Sequence, residues 1–420
     1  MRRTFSLFTT LVRLGRGPEN VTEEASNSLL EALQKHGYCY VQHPFIQWEI
    51  LDQVHRDSRI FFERYLLDLP EEKQRTRKEK FSKKLIAPRK PIRAMTPYEL
   101  ESIKTSSGFR GYYRYIGAGG VDDAIECFSV GREVQSPVEL REPYYRLSGW
   151  QRDEYLPLIS RRNAWDSLLT HPKDGSGDPN GVHAFMADYR EMILAYYDLC
   201  SEVALDVLRH ISCGLGVRPS IPQGGPDPDS GYDLEYFTQF HNKLDFDLQA
   251  KYYPRFGQGA RTRGGVEVKG VQSASNPKGV KVLRRKTARG QPLVNEDEEN
   301  AVLRLDSHKD LSTVTLLAQD ALGGLEVWDN ESEQFNPVPV LNDALLVNAG
   351  LFLEKWTGGL LEATPHRVRN VRGGSSRCSV VFFCLPNHDA RIEPLLQRDE
   401  NPSLDAEEGF YAGDLMPAAP

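Results

Sequence analysis

Apolar residues recur three and four positions apart through much of the first half of the chain, which is the spacing of helices that bury one face. This spacing predicts helices over residues 24–36, 47–65 and 185–215. The last is the longest amphipathic segment, and we interpret its Met and Tyr residues as core contacts against a sheet. Short β-rich segments separated by turns begin near Leu248 and recur to Phe383. The pattern therefore predicts helices followed by a mainly β region.

Three segments have the composition of loops or insertions. Residues 73–91 are strongly basic, residues 222–230 are rich in Pro, Gly and Asp, and residues 255–300 carry many glycines, a basic triplet and an acidic run. Such compositions bury little apolar surface, so we expect disorder or solvent-exposed excursions. For the basic part of residues 255–300, a lid over a binding site or a nucleic-acid contact is the alternative.

The overall composition is that of a soluble globular protein with a sizeable core, with 420 residues of which 40% are hydrophobic and 26% charged. A net charge of −7 argues against a protein that binds nucleic acid over its whole surface. No apolar run approaches the roughly 18 residues of a membrane span. The six cysteines form no Cys-x-x-Cys pair and predict reduced thiols in an intracellular protein.

The first 17 residues contain four arginines, several hydroxylated residues and no acid. That is the composition of a mitochondrial transit peptide, and a frayed basic N-terminus is the alternative interpretation. We therefore expect a cytoplasmic or a mitochondrial protein.

A candidate metal site begins at His308 and Asp310. The segment around them, residues 301–317, is rich in aliphatic and β-branched residues and is typical of a strand, in which side chains two positions apart share a face. His366 enters a later apolar stretch and supplies a second imidazole. Two imidazoles and one carboxylate on one side of an octahedral ion leave three positions open, as in non-haem Fe(II) oxygenases.

A second pair with the same two-residue spacing is Arg377 and Ser379, at the start of another apparent strand. A guanidinium and a hydroxyl on one face suit an acidic co-substrate, because the planar guanidinium fork matches a carboxylate in two-point contact.

In these residues, the chain resembles the isopenicillin-N-synthase-like branch of the Fe(II)/2-oxoglutarate-dependent dioxygenases. The resemblance extends over most of the chain, in family order. The segments that carry it are residues 29–41, 61–62, 69–73, 108–112, 126–133, 252–254, 323–327, 346–350 and 356–359.

The resemblance implies a double-stranded β-helix, or jelly roll, flanked by helices, with an N-terminal helical module. It implies that His308, Asp310 and His366 bind iron, and that Arg377 and Ser379 hold the distal carboxylate of 2-oxoglutarate. Tyr253, from its place in Tyr-Tyr-Pro, is expected to donate its hydroxyl to that co-substrate. The chain departs from the family pattern at Lys251, where many plant relatives have Asn, and in the long separation between Tyr253 and His308, which indicates an insertion.

By resemblance, the activity is that of an oxidoreductase that uses Fe(II), 2-oxoglutarate and O2, with ascorbate as a candidate reductant, and most often hydroxylates its substrate. We expect a small-molecule substrate, no catalytic side chain beyond the metal centre, and a monomer. Two rival interpretations stay open. One is an oxidase of the isopenicillin-synthase or aminocyclopropane-carboxylate-oxidase type that does not consume 2-oxoglutarate, and the other is a non-catalytic jelly-roll binding module.

The same considerations predict a division of the chain. The expected segments are a transit peptide at 1–17, an N-terminal dioxygenase module at 18–135, a supporting helical region at 136–247, a jelly-roll domain at 248–395 with an insertion at about 255–300, and a C-terminal tail at 396–420.

Overall fold

The computed structural model describes residues 10–66, 110–117, 120–133, 163, 165, 182–219, 230–255, 303–330, 332–370, 375–395 and 409–415. The basic segment 73–91 lies outside these residues, as do almost all of the insertion at 255–300 and most of the tail at 396–420. Nearly all of the Pro-, Gly- and Asp-rich segment at 222–230 lies outside them too.

The three helices predicted by periodicity are present. They are α1 (Glu23–His36), α2 (Trp48–Ile60), which continues into a π-helical turn over Phe61–Leu66, and α3 (Val182–Gly214). Helix α1 begins at Thr22, whose side chain accepts a hydrogen bond from the Ala25 amide at 3.3 Å, and it ends at Gly37 in the left-handed conformation. Two short helices follow, α4 (Leu351–Trp356) and α5 (Ala412–Leu415).

Fourteen strands are found among the described residues. In chain order they are β1 (Leu11–Arg13), β2 (Tyr38–Gln42), β3 (Gly111–Gly117), β4 (Gly120–Val130), β5 (Asp247–Tyr253), β6 (Leu303–His308), β7 (Val314–Gln319), β8 (Leu325–Asp329), β9 (Gln334–Pro337), β10 (Leu345–Ala349), β11 (His366–Arg369), β12 (Arg377–Cys384), β13 (Arg391–Ile392) and β14 (Phe410–Tyr411).

The strands form a large and a small sheet that pack together. The large sheet has the order β1-β2-β10-β7-β12-β5-β4-β3, the small one β6-β11-β8-β9, and β13 pairs with β14 separately. Among the described strands, only the β1–β2 pair is parallel. Between β6 and β12 the chain crosses repeatedly from one sheet to the other, which is the connectivity of a jelly roll.

Two hydrophobic cores hold this arrangement. The larger lies between the helices and the outer face of the large sheet, where buried residues of α3 such as Ile193 and Leu208 pack with Phe382 of β12. The second core lies between the two sheets and joins Leu317 and Leu346 of the large sheet to Val327 of the small one. Burial of both faces explains why β7 and β10 are almost continuously apolar.

The N-terminal segment is not purely helical, because β1 and β2 extend the large sheet through the pairing of β2 with β10. The prediction of an N-terminal helical module therefore describes only part of what this segment contributes. Val12 and Leu14 are buried although they lie within the segment predicted as a transit peptide. Among the helices that the structure describes, none combines the length and apolar character needed to cross a bilayer.

Candidate metal centre

His308, Asp310 and His366 come together at one end of the space between the two sheets. His308 is the last residue of β6 and pairs with His366, the first residue of β11. Oδ1 of Asp310 lies 3.7 Å from Nε2 of His308 and 3.5 Å from Nε2 of His366. The three residues are those that the sequence pattern indicated, but the single strand predicted over residues 301–317 is wrong. It divides into β6 and β7, and Asp310 lies in the loop between them.

The hydrogen bonds of the two imidazoles leave the same atom of each ring free for a ligand. Nδ1 of His308 lies 2.9 Å from the Asp306 carbonyl oxygen, and Nδ1 of His366 lies 2.9 Å from that of Thr364. A carbonyl oxygen only accepts, so Nδ1 carries the proton and the Nε2 lone pair faces the centre of the cluster. Burial, with His366 nearby, lowers the pKa of His308 to about 4, so this ring is neutral at neutral pH.

The carboxylate of Asp310 is oriented from the other side. Its Oδ2 accepts hydrogen bonds from Oγ1 of Thr315 at 2.8 Å and from Nδ2 of Asn348 at 3.1 Å, which leaves Oδ1 directed at the imidazoles. Burial acts to raise the pKa of Asp310, but the two histidines and these two hydrogen bonds together hold it below its usual range. The donor set is thus a carboxylate with two imidazoles, which fits a divalent iron ion with open positions.

The loop that carries Asp310 is fixed by close packing on Gly350. The amide of Gly350 donates to the Thr313 carbonyl at 3.0 Å, and the amide of Leu351 donates to the Asp310 carbonyl at 2.9 Å. A Cβ atom on Gly350 would lie 2.2 Å from the Ser312 carbonyl oxygen, so no larger residue fits without moving the loop.

Thr315 and Asn348 are functional candidates that the sequence reasoning missed. Asn348 lies in the segment 346–350 that carried part of the resemblance, but no role was assigned to it. An amide in the otherwise apolar strand β10 is the signal that could have identified it, because a buried polar side chain needs a partner.

Arg377 and Ser379 lie together on β12 as predicted from their spacing. The guanidinium of Arg377 donates from Nε to the Gly323 carbonyl at 2.6 Å and from Nη1 to Oγ of Ser379 at 3.0 Å. Its Cζ lies 4.8 Å from the centre of the Tyr253 ring. Only 3% of Arg377 is exposed, and among the described residues no carboxylate lies within ion-pair distance of it. A buried guanidinium with no counter-ion is a fitting receptor for a carboxylate ligand.

One pocket connects the two groups of residues. It encloses about 530 Å³ of space that is partly open to solvent, and its lining includes the three metal-ligand candidates together with Tyr253, Arg377 and Ser379. Most of the remaining wall is apolar, with Leu317, Val327 and Val368 among its members. Lys251, which departs from the family pattern, also lines it and lies above the ring of Phe383 with Nζ 5.4 Å from the ring centre.

Comparison with known sequences finds matches for the part of the chain that supplies most of this pocket's lining. Residues 282–386 match the model of the 2OG-Fe(II) oxygenase superfamily. A 2-oxoglutarate-dependent dioxygenase of Epichloe uncinata is 39% identical over 118 residues, which are 25% of this chain and 32% of that protein. A proline hydroxylase of Petromyces alliaceus is 26% identical over 238 residues, 55% of this chain and 56% of that protein. The chain thus spans between about a third and a little over half of these two curated relatives.

Solved structures share the fold. A 2OG-Fe(II) oxygenase family protein of Caulobacter crescentus superposes with a TM-score of 0.57 at 18% identity, over 97% of each chain. A full-length protein of Neurospora crassa, solved in complex with alpha-KG, gives a TM-score of 0.56 at 20% identity, over 93% of this chain and 88% of that one. These superpositions confirm the predicted jelly-roll architecture.

Proposed function

We propose that this chain, whose residues 282–386 match the 2OG-Fe(II) oxygenase superfamily, is an oxidoreductase coupling the decarboxylation of 2-oxoglutarate to oxidation of a small organic substrate. Among the oxidations that such a site could perform, hydroxylation is the one that we propose. In that reaction 2-oxoglutarate and O2 give succinate and CO2, one oxygen atom of O2 entering succinate and the other the substrate. The observation that carries the proposal is the pocket that joins a two-histidine, one-carboxylate cluster to a buried guanidinium without a counter-ion among the described residues.

His308, Asp310 and His366 would hold the iron through two Nε2 atoms and Oδ1. The chemistry that Fe(II) supplies when bound there is activation of O2 for the oxidation of a C–H bond. The protein's own part is to present neutral imidazoles, through the Asp306 and Thr364 carbonyls, and one oriented carboxylate. These contacts fix the donor atoms before the ion binds, which favours affinity and a defined geometry.

Arg377 and Ser379 would bind the distal carboxylate of 2-oxoglutarate, with Tyr253 beside them as a further hydroxyl donor. The guanidinium is held on one side by the Gly323 carbonyl, so its remaining N–H groups are oriented rather than free to rotate. A co-substrate bound in this way has its keto-acid end directed along the pocket toward the metal-ligand cluster. The wall between the two ends is mostly apolar, which disfavours water around the space where the substrate would react.

Several finer expectations belong to this proposal as well. They are ascorbate as a reductant, a monomeric state, a location in the cytoplasm or mitochondria, and the predicted segment bounds, with the N-terminal dioxygenase module at 18–135. The proline hydroxylase among the relatives supports a small organic substrate.

Anaerobic binding tests the proposal without the substrate. Chelation of Fe(II) by a 2-oxo acid produces a visible absorption band, so we expect this band on adding 2-oxoglutarate to the protein loaded with Fe(II). His366→Ala should abolish the band through loss of the metal. Arg377→Met should bind Fe(II) as well as the wild type but need roughly a hundredfold more 2-oxoglutarate, since it loses a two-point charged contact. Iron binding with no response to 2-oxoglutarate would contradict the proposal and favour an oxidase that does not use this co-substrate.

A further inference from the structure

The turn that follows β7 is organised around one carboxylate, that of Asp320, which is 9% exposed. Oδ1 of Asp320 accepts a hydrogen bond from the Leu322 amide at 3.1 Å. Its Oδ2 accepts one from the Cys378 amide at 2.7 Å and another from Nη2 of Arg59 at 2.6 Å. The carboxylate therefore joins three parts of the chain: the turn itself, the start of β12 and helix α2.

Besides the Ser379 hydroxyl, two supports of Arg377 involve Asp320. Cys378, whose amide it binds, is the next residue after Arg377, so Asp320 fixes the backbone from which the guanidinium extends. The Gly323 carbonyl that receives Nε of Arg377 belongs to the same turn, which is closed by a bond from the Gly323 amide to the Asp320 carbonyl at 3.2 Å. The turn continues through two glycines with positive φ, 70° at Gly323 and 89° at Gly324. Asp320 thus helps to fix both the backbone from which the guanidinium extends and the turn whose carbonyl receives its Nε.

Arg59 supports the same unit from helix α2. Besides its contact with Asp320, its Nη1 donates to the carbonyl and the hydroxyl oxygen of Ser376, at 3.0 and 2.8 Å. Ser376 precedes Arg377, so the two neighbours of Arg377 in the chain are held by one cluster, Ser376 by Arg59 and Cys378 by Asp320. Neither Arg59 nor Asp320 lines the pocket among the described residues, so neither has a direct contact with a ligand there.

We propose that Arg59 and Asp320 are positioning residues that aim the guanidinium of Arg377 at the distal carboxylate of the co-substrate. This proposal rests on the proposed function. It assigns to helix α2 a residue that supports Arg377 and, through it, the binding of the distal carboxylate. Two-point recognition of a carboxylate needs a defined guanidinium plane, because the paired N–H bonds are geometrically demanding. Loss of the support leaves Arg377 in place but free to move, which weakens the distal contact and leaves the metal end unchanged.

The test compares two ligands that share only the metal end. Oxalate chelates a metal through adjacent oxygens as a 2-oxo acid does, but it has no distal carboxylate. Calorimetric titration of the Mn(II)-loaded protein with 2-oxoglutarate and with oxalate therefore separates the two ends of the pocket. For Arg59→Met we expect about a tenfold weaker affinity for 2-oxoglutarate, the scale of one charge-assisted contact, and no change for oxalate. Arg59→Lys should recover part of the loss, since it keeps a cation beside Asp320.

A control on the same helix separates this effect from general damage. Arg56→Met removes an exposed pair with Asp52 at 3.5 Å and should change neither affinity. Asp320→Asn provides a second variant that keeps the shape of the side chain while losing its charge, and it should show the same selective loss. Melting temperatures of all variants establish that each is folded under the conditions of the titration.

Two results would overturn the inference. One is an unchanged 2-oxoglutarate affinity in folded Arg59→Met and Asp320→Asn, and the other is an equal loss for 2-oxoglutarate and oxalate. Failure of the proposed function is distinguishable, because in that case Arg377→Met itself would leave 2-oxoglutarate binding unchanged, or the wild type would not bind it.

Discussion

The two histidines of the metal-ligand cluster are oriented by the same local device. In each case Nδ1 donates to the carbonyl two residues earlier, Asp306 for His308 and Thr364 for His366. The protonated nitrogen is thereby fixed by the backbone, and the other nitrogen faces the site. The carboxylate of Asp310 is instead oriented by side chains of β7 and β10.

Thr315→Val tests whether the hydroxyl of Thr315 orients the carboxylate of Asp310 for metal binding. The substitution keeps the shape of the side chain and removes the hydroxyl that donates to Oδ2 of Asp310. Loss of such an outer partner typically weakens metal binding about 10- to 100-fold, and we expect the lower part of that range because Asn348 remains. Anaerobic Fe(II) titration measures the change.

Ser332→Ala is the matched control, since it removes a hydroxyl that donates to the carboxylate of Asp329, a residue outside the pocket lining. It should leave Fe(II) affinity unchanged. Wild-type affinity in folded Thr315→Val would show that the hydroxyl does not orient the ligand.

The residues of the site differ in how far the sequence predicts them. The spacing of Arg377 and Ser379 correctly places both on one face of β12, whereas His308 and Asp310 were identified by the same spacing although Asp310 lies in the loop after β6. The structure brings all four to one pocket. The partners of Asp310 could not be found in this way, because Thr315 is an ordinary strand residue in sequence and its contact depends on the loop geometry after His308. The role of Tyr253 as a hydroxyl donor stays a prediction, since the structure shows its ring beside Arg377.

At the level of elements, the end of helix α1 contacts the segment that leads into the strand of His366. Gly37, which ends α1 with φ of 72°, accepts a hydrogen bond at its carbonyl from Oγ1 of Thr364 at 2.7 Å. Thr364 in turn orients His366 through its own carbonyl. The N-terminal helix is therefore linked to the metal-ligand cluster through one threonine.

Gly37→Ala should disturb both the helix end and the metal site. A Cβ there would lie 2.2 Å from Oγ1 of Thr364, in addition to the strain of a left-handed conformation. We expect the free energy of unfolding to fall by about 2–3 kcal/mol and Fe(II) affinity to decrease with it. Denaturant unfolding of the metal-free protein and Fe(II) titration measure the two effects.

Gly216→Ala separates strain from steric overlap, because Gly216 has φ of 68° and nothing lies within 4 Å of the position that a Cβ would occupy there. Its free energy of unfolding should fall by only about 1 kcal/mol, and its Fe(II) affinity should equal that of the wild type. Equal behaviour of the two variants would contradict the link between Gly37 and the site.

The elements themselves were predicted with unequal success. The helices followed from periodicity, because α1, α2 and α3 each bury one face against a larger core. The prediction of one strand over residues 301–317 was wrong because these residues favour a strand throughout, whereas the crossing between the two sheets requires a loop at residues 309–313. Crossings of this kind depend on tertiary packing, which residue preferences do not encode.

On the scale of the whole molecule, buried neutral histidines make the fold sensitive to acid. His210 is fully buried, bonds Oγ of Ser26 at 2.9 Å, and has its pKa lowered to about 4, chiefly by burial. His241, buried beside Thr313, likewise has a pKa lowered to about 4 by burial. The unfolded chain binds protons at these residues near pH 6.5 and the folded protein does not. Their stabilising contribution is therefore complete above that pH and lost as pH falls toward 4.

Urea unfolding at pH 7 and at pH 5 measures this loss. Each of the two histidines should lower the free energy of unfolding by about 2 kcal/mol at pH 5 relative to pH 7. His210→Gln should reduce the difference between the two pH values by about that amount. An unchanged difference in this variant would show that His210 is protonated in the folded state.

Succinate formation tests the assignment of the pocket most directly. Purified protein given Fe(II), 2-oxoglutarate, ascorbate and O2 should release succinate slowly even without a substrate, through uncoupled turnover. The folded variant His308→Ala should release none, and Arg377→Met should need far more 2-oxoglutarate for the same rate. Absence of succinate from wild-type protein that binds Fe(II) and 2-oxoglutarate, or equal release by His308→Ala, would contradict the assignment of this pocket as a 2-oxoglutarate oxygenase site.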